Sequence, residues 1–134
     1  MLKMNTFRNA QFSVRALTGV IILLHALLRI VFIDEYINFV LLNYSEVVQS
    51  QTVLIIVASL IPFLEFFTGL LLIFKVAVKR SVLAGISISV IMVVFILLGQ
   101  IYLLLIYHAI IFALLVLVGE SYMRQKNNKN HLFK

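Results

Sequence analysis

The stretch Thr52-Val-Leu-Ile-Ile-Val-Ala-Ser-Leu-Ile-Pro-Phe-Leu-Glu-Phe-Phe-Thr-Gly-Leu-Leu-Leu-Ile-Phe74 decides how this chain folds. As a helix rising ~1.5 Å per residue, a run of that length and apolarity crosses the ~30 Å hydrocarbon core of a bilayer. Glu65, near its middle, is the exception to its apolarity. An ionisable group at that depth costs roughly 2.5 kcal/mol or more on insertion scales, so such a residue has a partner, a proton or a function.

The rest of the chain reads the same way. Of its 134 residues 63% are hydrophobic and only 12% charged, and the mean hydropathy is +1.14. A soluble domain of this size has too little interior to hide that much apolar surface, which makes the chain an integral membrane protein. It contains no cysteine, which removes disulfides, thiolate metal sites and dithiol redox chemistry from its own repertoire.

Four stretches are long enough to span: Val14 to Ile33, Thr52 to Phe74, Ser81 to Leu98 and Ile101 to Val118. The last two abut at Gly99-Gln100, which requires a tight antiparallel hairpin. The first carries Arg15, His25 and Arg29 and lacks a small-residue cleavage pattern, so no removable signal peptide is expected. The expected fold is an all-α membrane protein, a four-transmembrane-helix antiparallel bundle with an amphipathic outer segment between helices 1 and 2. Residues 1–13 read as a cytoplasmic N-terminal segment, 14–118 as the membrane domain and 119–134 as a basic cytoplasmic tail.

The net charge of +6 is explained by topology and does not call for nucleic acid. Lys3, Arg8 and Arg15 precede or open the first span, Lys75, Lys79 and Arg80 separate the second and third, and Arg124, Lys126, Lys129 and Lys134 follow the fourth. The other side carries Asp34, Glu35 and Glu46. The positive-inside rule then places both termini in the cytoplasm of a multi-pass protein. Between the first two spans, Ile37, Val40, Leu41, Tyr44, Val47 and Val48 recur at helical spacing, which predicts a short interfacial helix. The polar, basic stretch from Gln125 to His131 is expected to be disordered. It could meet anionic headgroups, although such charge runs are usually solvated.

His25, Glu65 and His108 all lie roughly 14–16 Å from the cytoplasmic ends of their spans. On the first span Arg15, Gly19 (or Thr18), Ile22, His25 and Arg29 form one stripe, and on the second Ala58, Pro62, Glu65 and Gly69 share a face. Lipid offers neither stripe a partner, so the two faces should meet. Pro62 removes one backbone hydrogen bond a turn before Glu65, which predicts a kink. Ser81, Gly85 and Ser89 make a small-residue ladder for close packing on the third span.

The polar groups leave several readings open. Glu65 and His25 tie helices together by hydrogen bonding, or Arg15, His25, Arg29, Glu65 and His108 contribute to a site for a quinone or another small ligand. A proton relay and a bis-imidazole haem b between His25 and His108 rank below these. The faces around His108 carry Leu104, Leu105, Ile111 and Phe112 and no glycine to admit a porphyrin. No set of ligands for a metal is evident.

The segment from Leu60 to Ile73, with Pro62, Glu65 three residues later and then Gly69 before a run of leucines, resembles the second-helix signature of the DoxX/MauE-like membrane proteins. Arg15 with Gly19 a turn later resembles the opening of that family's first helix, and the likeness extends from about Arg15 to Val118. Tyr36, Tyr44 and the basic Lys79-Arg80 turn fall where comparable family features lie. The resemblance implies a four-helix bundle of the bacterial inner membrane, serving redox or thiol-maturation pathways as an accessory or anchoring subunit with membrane or periplasmic redox partners. The sequence itself offers no nucleophile with a base and no phosphate loop, so no enzyme activity of the chain by itself and no required cofactor are expected. Two departures stand out. Many members carry a cysteine pair after the third helix where this chain has Gly99-Gln100, and Arg29 replaces a lysine near the end of the first helix. Direct thiol exchange is therefore untenable for this chain alone. A quinone-facing, partner-binding or scaffold role survives.

Overall fold

The computed structural model describes the backbone of residues 2–131 and the side chains of residues 12–124. Five helices follow one another: α1 (Leu2–Val31), α2 (Ile33–Tyr44), α3 (Gln51–Ile73), α4 (Val78–Leu98) and α5 (Tyr102–His131). No strand occurs among the described residues. Four segments are long and apolar enough to cross a membrane: Phe12–Val31, Gln51–Ile73, Val78–Leu98 and Tyr102–Arg124. The chain is an all-α membrane bundle. Its outer surface fits that solvent, with Leu24, Leu28, Phe67, Leu83, Leu103 and Ile106 all exposed.

Three short connections set the topology. At Phe32 the backbone leaves helical geometry for one residue (φ −107°, ψ 46°), and the chain restarts at once as α2. Asp34 and Glu35 occupy the first turn of α2, where carboxylates complement the positive end of the helix dipole. The turns after α3 and α4 are both Schellman closures. Val76 donates to the Leu71 carbonyl and Lys75 to Leu72 in one, and Ile101 to Ile96 and Gln100 to Leu97 in the other. The left-handed residues that close the two helices are Lys75 (φ 60°) and Gln100 (φ 55°), Ala77 (φ 46°) is a further one just before α4, and Gly99 keeps a negative φ. Gly99 is needed for room instead, because a Cβ there would stand 2.6 Å from the Tyr44 ring.

The amphipathic segment is α2, with Tyr36, Ile37, Val40 and Leu41 half-buried and Tyr44 buried. Its ring end packs edge-to-face on Phe95 of α4, centroids 5.7 Å apart. The helix stops at Tyr44, so Val47 and Val48, expected on its apolar face, lie in the connection to α3. There Ser50 caps α3 by accepting from the Val53 amide at 3.4 Å, a standard way to satisfy a first-turn donor.

One expectation about the ends is corrected: the stretch from Gln125 to His131, expected to be disordered, continues α5 as helix. At the other end α1 begins at Leu2 and runs on into the first span. Extending an existing helix adds one hydrogen bond per residue fixed, without the cost of nucleation, and no proline interrupts either stretch. Residues 132–134 lie outside the described residues.

An apolar core gathers toward the end of the bundle that carries Lys75, Lys79 and Arg80. It comprises Ile22 of α1, Leu72 of α3, Val78 and Val82 of α4, and Ile111, Leu115 and Val118 of α5. Helices α1 and α3 cross closely at Gly19 and Gly69, and α4 packs on α5 with the Ser81-Gly85-Ser89 ladder buried between them. Leu115 fills the notch that Gly85 leaves.

Candidate functional site

Arg15 belongs to the bundle's architecture and meets α3 at Leu72 and Ile73, about two turns beyond Glu65. Its Nη1 donates to the carbonyl of Leu72 and, at 3.0 Å, to that of Ile73. The last carbonyls of α3 have no donor within their own helix, and a buried cation there also meets the negative end of the helix dipole. Phe12 covers the guanidinium, ring centre 5.2 Å from Cζ. Arg15→Met is expected to lower stability by about 1.5–3 kcal/mol, the range for hydrogen bonds to a charged group. Unfolding in detergent would measure it, and an unchanged midpoint would remove the capping role.

The stripe on α1 and the face on α3 do meet. Glu65 is buried, with Ala58, Pro62 and Gly69 buried on the same face. Its Oε2 accepts from Arg29 Nη1 at 3.0 Å, and His25 Nδ1 lies 3.5 Å from the same oxygen. Arg29 therefore folds inward. Its side chain is 11% exposed, and the Tyr36 ring of α2 stands 4.9 Å from its Cζ. Burial pushes the Tyr36 phenol above its ordinary range, with the Arg29 charge opposing that and Glu65 adding to it. The hydroxyl consequently stays protonated beside the ion pair.

Helix α5 closes the cluster. Tyr107 lies against His25, ring centroids 4.1 Å apart at 30°. His108 stands edge-on to both, 5.2 Å from Tyr107 and 6.0 Å from His25. The common depth expected for His25, Glu65 and His108 is thus reproduced as contact. Tyr107 was not singled out by the sequence. Its signal was weak, since a tyrosine beside a histidine on an apolar helix is ordinary lipid-interface or packing chemistry. Tyr36 stood only among features that the family likeness would place, and its contact with Arg29 depends on the chain turning back at Phe32.

Two spaces flank the ion pair. Below it, a cavity with about 10 Å³ open to the centre of a water molecule is lined by His25, Glu65, Thr68, Ser89, Tyr107 and His108 among others. That is room for one water. Above it, beneath α2, a chamber of about 40 Å³ has Arg29, Tyr36 and Tyr44 in a wall otherwise made of residues such as Leu54, Ile61, Met92 and Phe95. A cavity that takes benzene measures about 150 Å³, so neither space, as packed, admits a quinone ring or a porphyrin. Of the hydroxyls, Thr68 donates to the Leu64 carbonyl and Thr18 to that of Val14, each at 2.8 Å. Ser81 donates to Ala77 at 3.2 Å. These hydroxyls serve their own helices. Ser81, Gly85 and Gly69 act as spacing residues, and of the ladder only Gly85 and Ser89 reach the cavity wall. Among the described residues no group of three histidine, aspartate or glutamate side chains converges for a metal ion.

No family model, curated protein or solved structure matches the chain.

Proposed function

We propose that this chain is a DoxX/MauE-like accessory or anchoring subunit of a redox-associated pathway in the bacterial inner membrane, with both termini cytoplasmic. The observation that carries the reading is that the Glu65 motif closes on its own bundle. Its carboxylate is held by Arg29 and His25 of α1, and the space beside it is the size of one water. Such a group organises helices. It is not laid out to receive a substrate. Arg15, the other motif residue, also ties α1 to α3. The orientation rests on Lys75, Lys79, Arg80 and Arg124 standing at one end and Asp34 and Glu35 at the other, as the positive-inside rule requires. Nothing in the cluster pairs a nucleophile with a free base, so the chain is read as non-catalytic by itself.

A second reading, a quinone or other small ligand bound near His25 and Glu65, is favoured by the chamber beneath α2. There an arginine and two tyrosines meet apolar walls, the mixture that small-ligand pockets use. At about 40 Å³ it would have to widen by movement of α2.

Purification of the full chain through mild detergent, followed by mass spectrometry of proteins and lipid-soluble molecules, separates the two. The accessory reading expects a redox protein in stoichiometric amount, retained when Phe39 of α2, which lines the chamber, is replaced by Trp to fill it. A chain that emerges without protein partners and with one quinone per bundle, lost in Phe39→Trp, would overturn it in favour of the second.

A further inference from the structure

The chamber beneath α2 is lined by hydrogen-bond donors that the bundle leaves unused. Tyr44 is 4% exposed and forms part of the wall, yet among the described residues its hydroxyl meets no hydrogen-bond partner. Nor does the hydroxyl of Tyr36, whose ring lies against Arg29. Arg29 engages Glu65 through Nη1, and among the described residues no second acceptor meets its guanidinium. A guanidinium can only donate, and a buried hydroxyl without a partner is costly. What this wall lacks is an acceptor. Charge narrows the kind. Glu65 already faces Arg29 at 3.0 Å, so a further anion would stand unbalanced among Leu54, Ile61, Met92 and Ile96, where burying an unpaired charge is prohibitive. Size narrows it again. One water needs about 10–15 Å³ on the measure that gives about 40 Å³ here, which leaves room for a row of about three or four non-hydrogen atoms and not for a substituted ring. Phe39, 38% exposed, is the most exposed residue of the wall and marks its mouth.

We propose that this chamber is a head-in site for a slender, uncharged acyl lipid, whose ester or amide carbonyl accepts from the wall, with Tyr44 as the principal donor, while its hydrocarbon tail leaves past Phe39. The inference rests on the small-ligand reading of the same chamber and names a different head for it, a single carbonyl in place of a quinone ring. It does not depend on a protein partner. A few placed polar groups in an apolar wall are how such sites fix the orientation of a ligand. Here the donors fix the carbonyl end, and the apolar wall accepts the start of the chain. Because Arg29 keeps its bond to Glu65, binding leaves the junction of α1 and α3 in place.

The probe is methyl palmitate carrying carbon-13 at its carbonyl, added to the full chain in nanodiscs of an ether-linked phosphatidylcholine, which brings no ester of its own. NMR is expected to show a second carbonyl resonance, shifted downfield as a hydrogen-bonded carbonyl is, that saturates at one per chain. Phe39→Trp should remove it. Tyr44→Phe keeps the ring that packs on Phe95 and should weaken binding about 3- to 10-fold, the worth of one neutral hydrogen bond. Displacement of the bound ester by hexadecane as readily as by unlabelled ester would overturn the hydrogen-bonded head. Displacement by hexadecanesulfonate, an anion, would overturn the uncharged one. If no ester binds while labelled decylubiquinone saturates one site per chain, the slender head is overturned and the small-ligand reading stands; binding of neither probe would remove both. Unchanged affinity in a folded Tyr44→Phe would overturn the role of Tyr44. The displacement series on the natural chain decides the ligand class even if that variant fails to fold.

Discussion

Glu65→Leu is expected to lower the stability of the bundle by about 3–5 kcal/mol, and combining it with Arg29→Met should return most of that loss. Removing one member of a buried ion pair leaves the other charge uncompensated, which is the costly event; replacing both with apolar groups of similar volume is often neutral or favourable. Here the pair is largely hidden, with side-chain exposures of 11% for Arg29 and 9% for Glu65. Arg29 retains the Tyr36 ring when Glu65 is gone, and a cation over an aromatic face recovers about 0.5–2 kcal/mol. The loss should therefore fall toward the lower end of the range. Glu65→Gln should cost less, because an amide still accepts from Arg29. Unfolding by denaturing detergent, run as a double-mutant cycle, measures the coupling. A double variant no more stable than Glu65→Leu alone would mean that the pair does not lock the helices.

The elements that were legible in the sequence are those set by composition and spacing. A continuous apolar run states its own length, and stripes of small or polar residues on two spans have nowhere to go but toward each other. Hence Glu65 meets the α1 stripe, and Gly19 faces Gly69. Within that stripe, though, the periodicity treated Arg15 and Arg29 alike. Spacing fixes a face and does not fix depth against a partner. Arg15 lands on the end of α3 while Arg29 lands on its middle, a difference decided by where α3 stops. The stop itself rests on a left-handed Lys75, and lysine is not a residue that announces such a conformation. The contributions of Tyr107 and Tyr36 depend on helix rotation and on the restart at Phe32, which no local pattern specifies. The helical continuation to His131 was hidden for a different reason: asparagine-rich composition argues for coil, whereas an attached helix needs no nucleus of its own.

Gly69→Ala should destabilise the bundle by about 1–2 kcal/mol net, while Gly85→Ala should fall close to wild type. Both substitutions gain roughly 1 kcal/mol of helix propensity, so the difference must come from what the new methyl meets. At Gly69 a Cβ would stand 2.8 Å from the Gly19 carbonyl oxygen and 2.9 Å from the Leu23 amide nitrogen, both backbone atoms of α1. Neither can move without moving the helix. At Gly85 the nearest atoms are the terminal methyls of Leu115, at 2.9 and 3.1 Å, and a leucine end can turn aside. Overpacking that a side chain absorbs is mild, whereas overpacking against backbone costs typically 1–3 kcal/mol and sometimes more. Parting α1 from α3 at Gly69 also acts one helical turn away on Glu65, whose partners Arg29 and His25 both sit on α1. Gly69→Ala and Glu65→Leu should therefore be less than additive, because each weakens the same junction. Thermal unfolding of the two single variants and their combination in detergent gives the comparison. Strict additivity, or a Gly85→Ala loss as large as that of Gly69→Ala, would show that the glycine crossing and the ion pair do not form one unit.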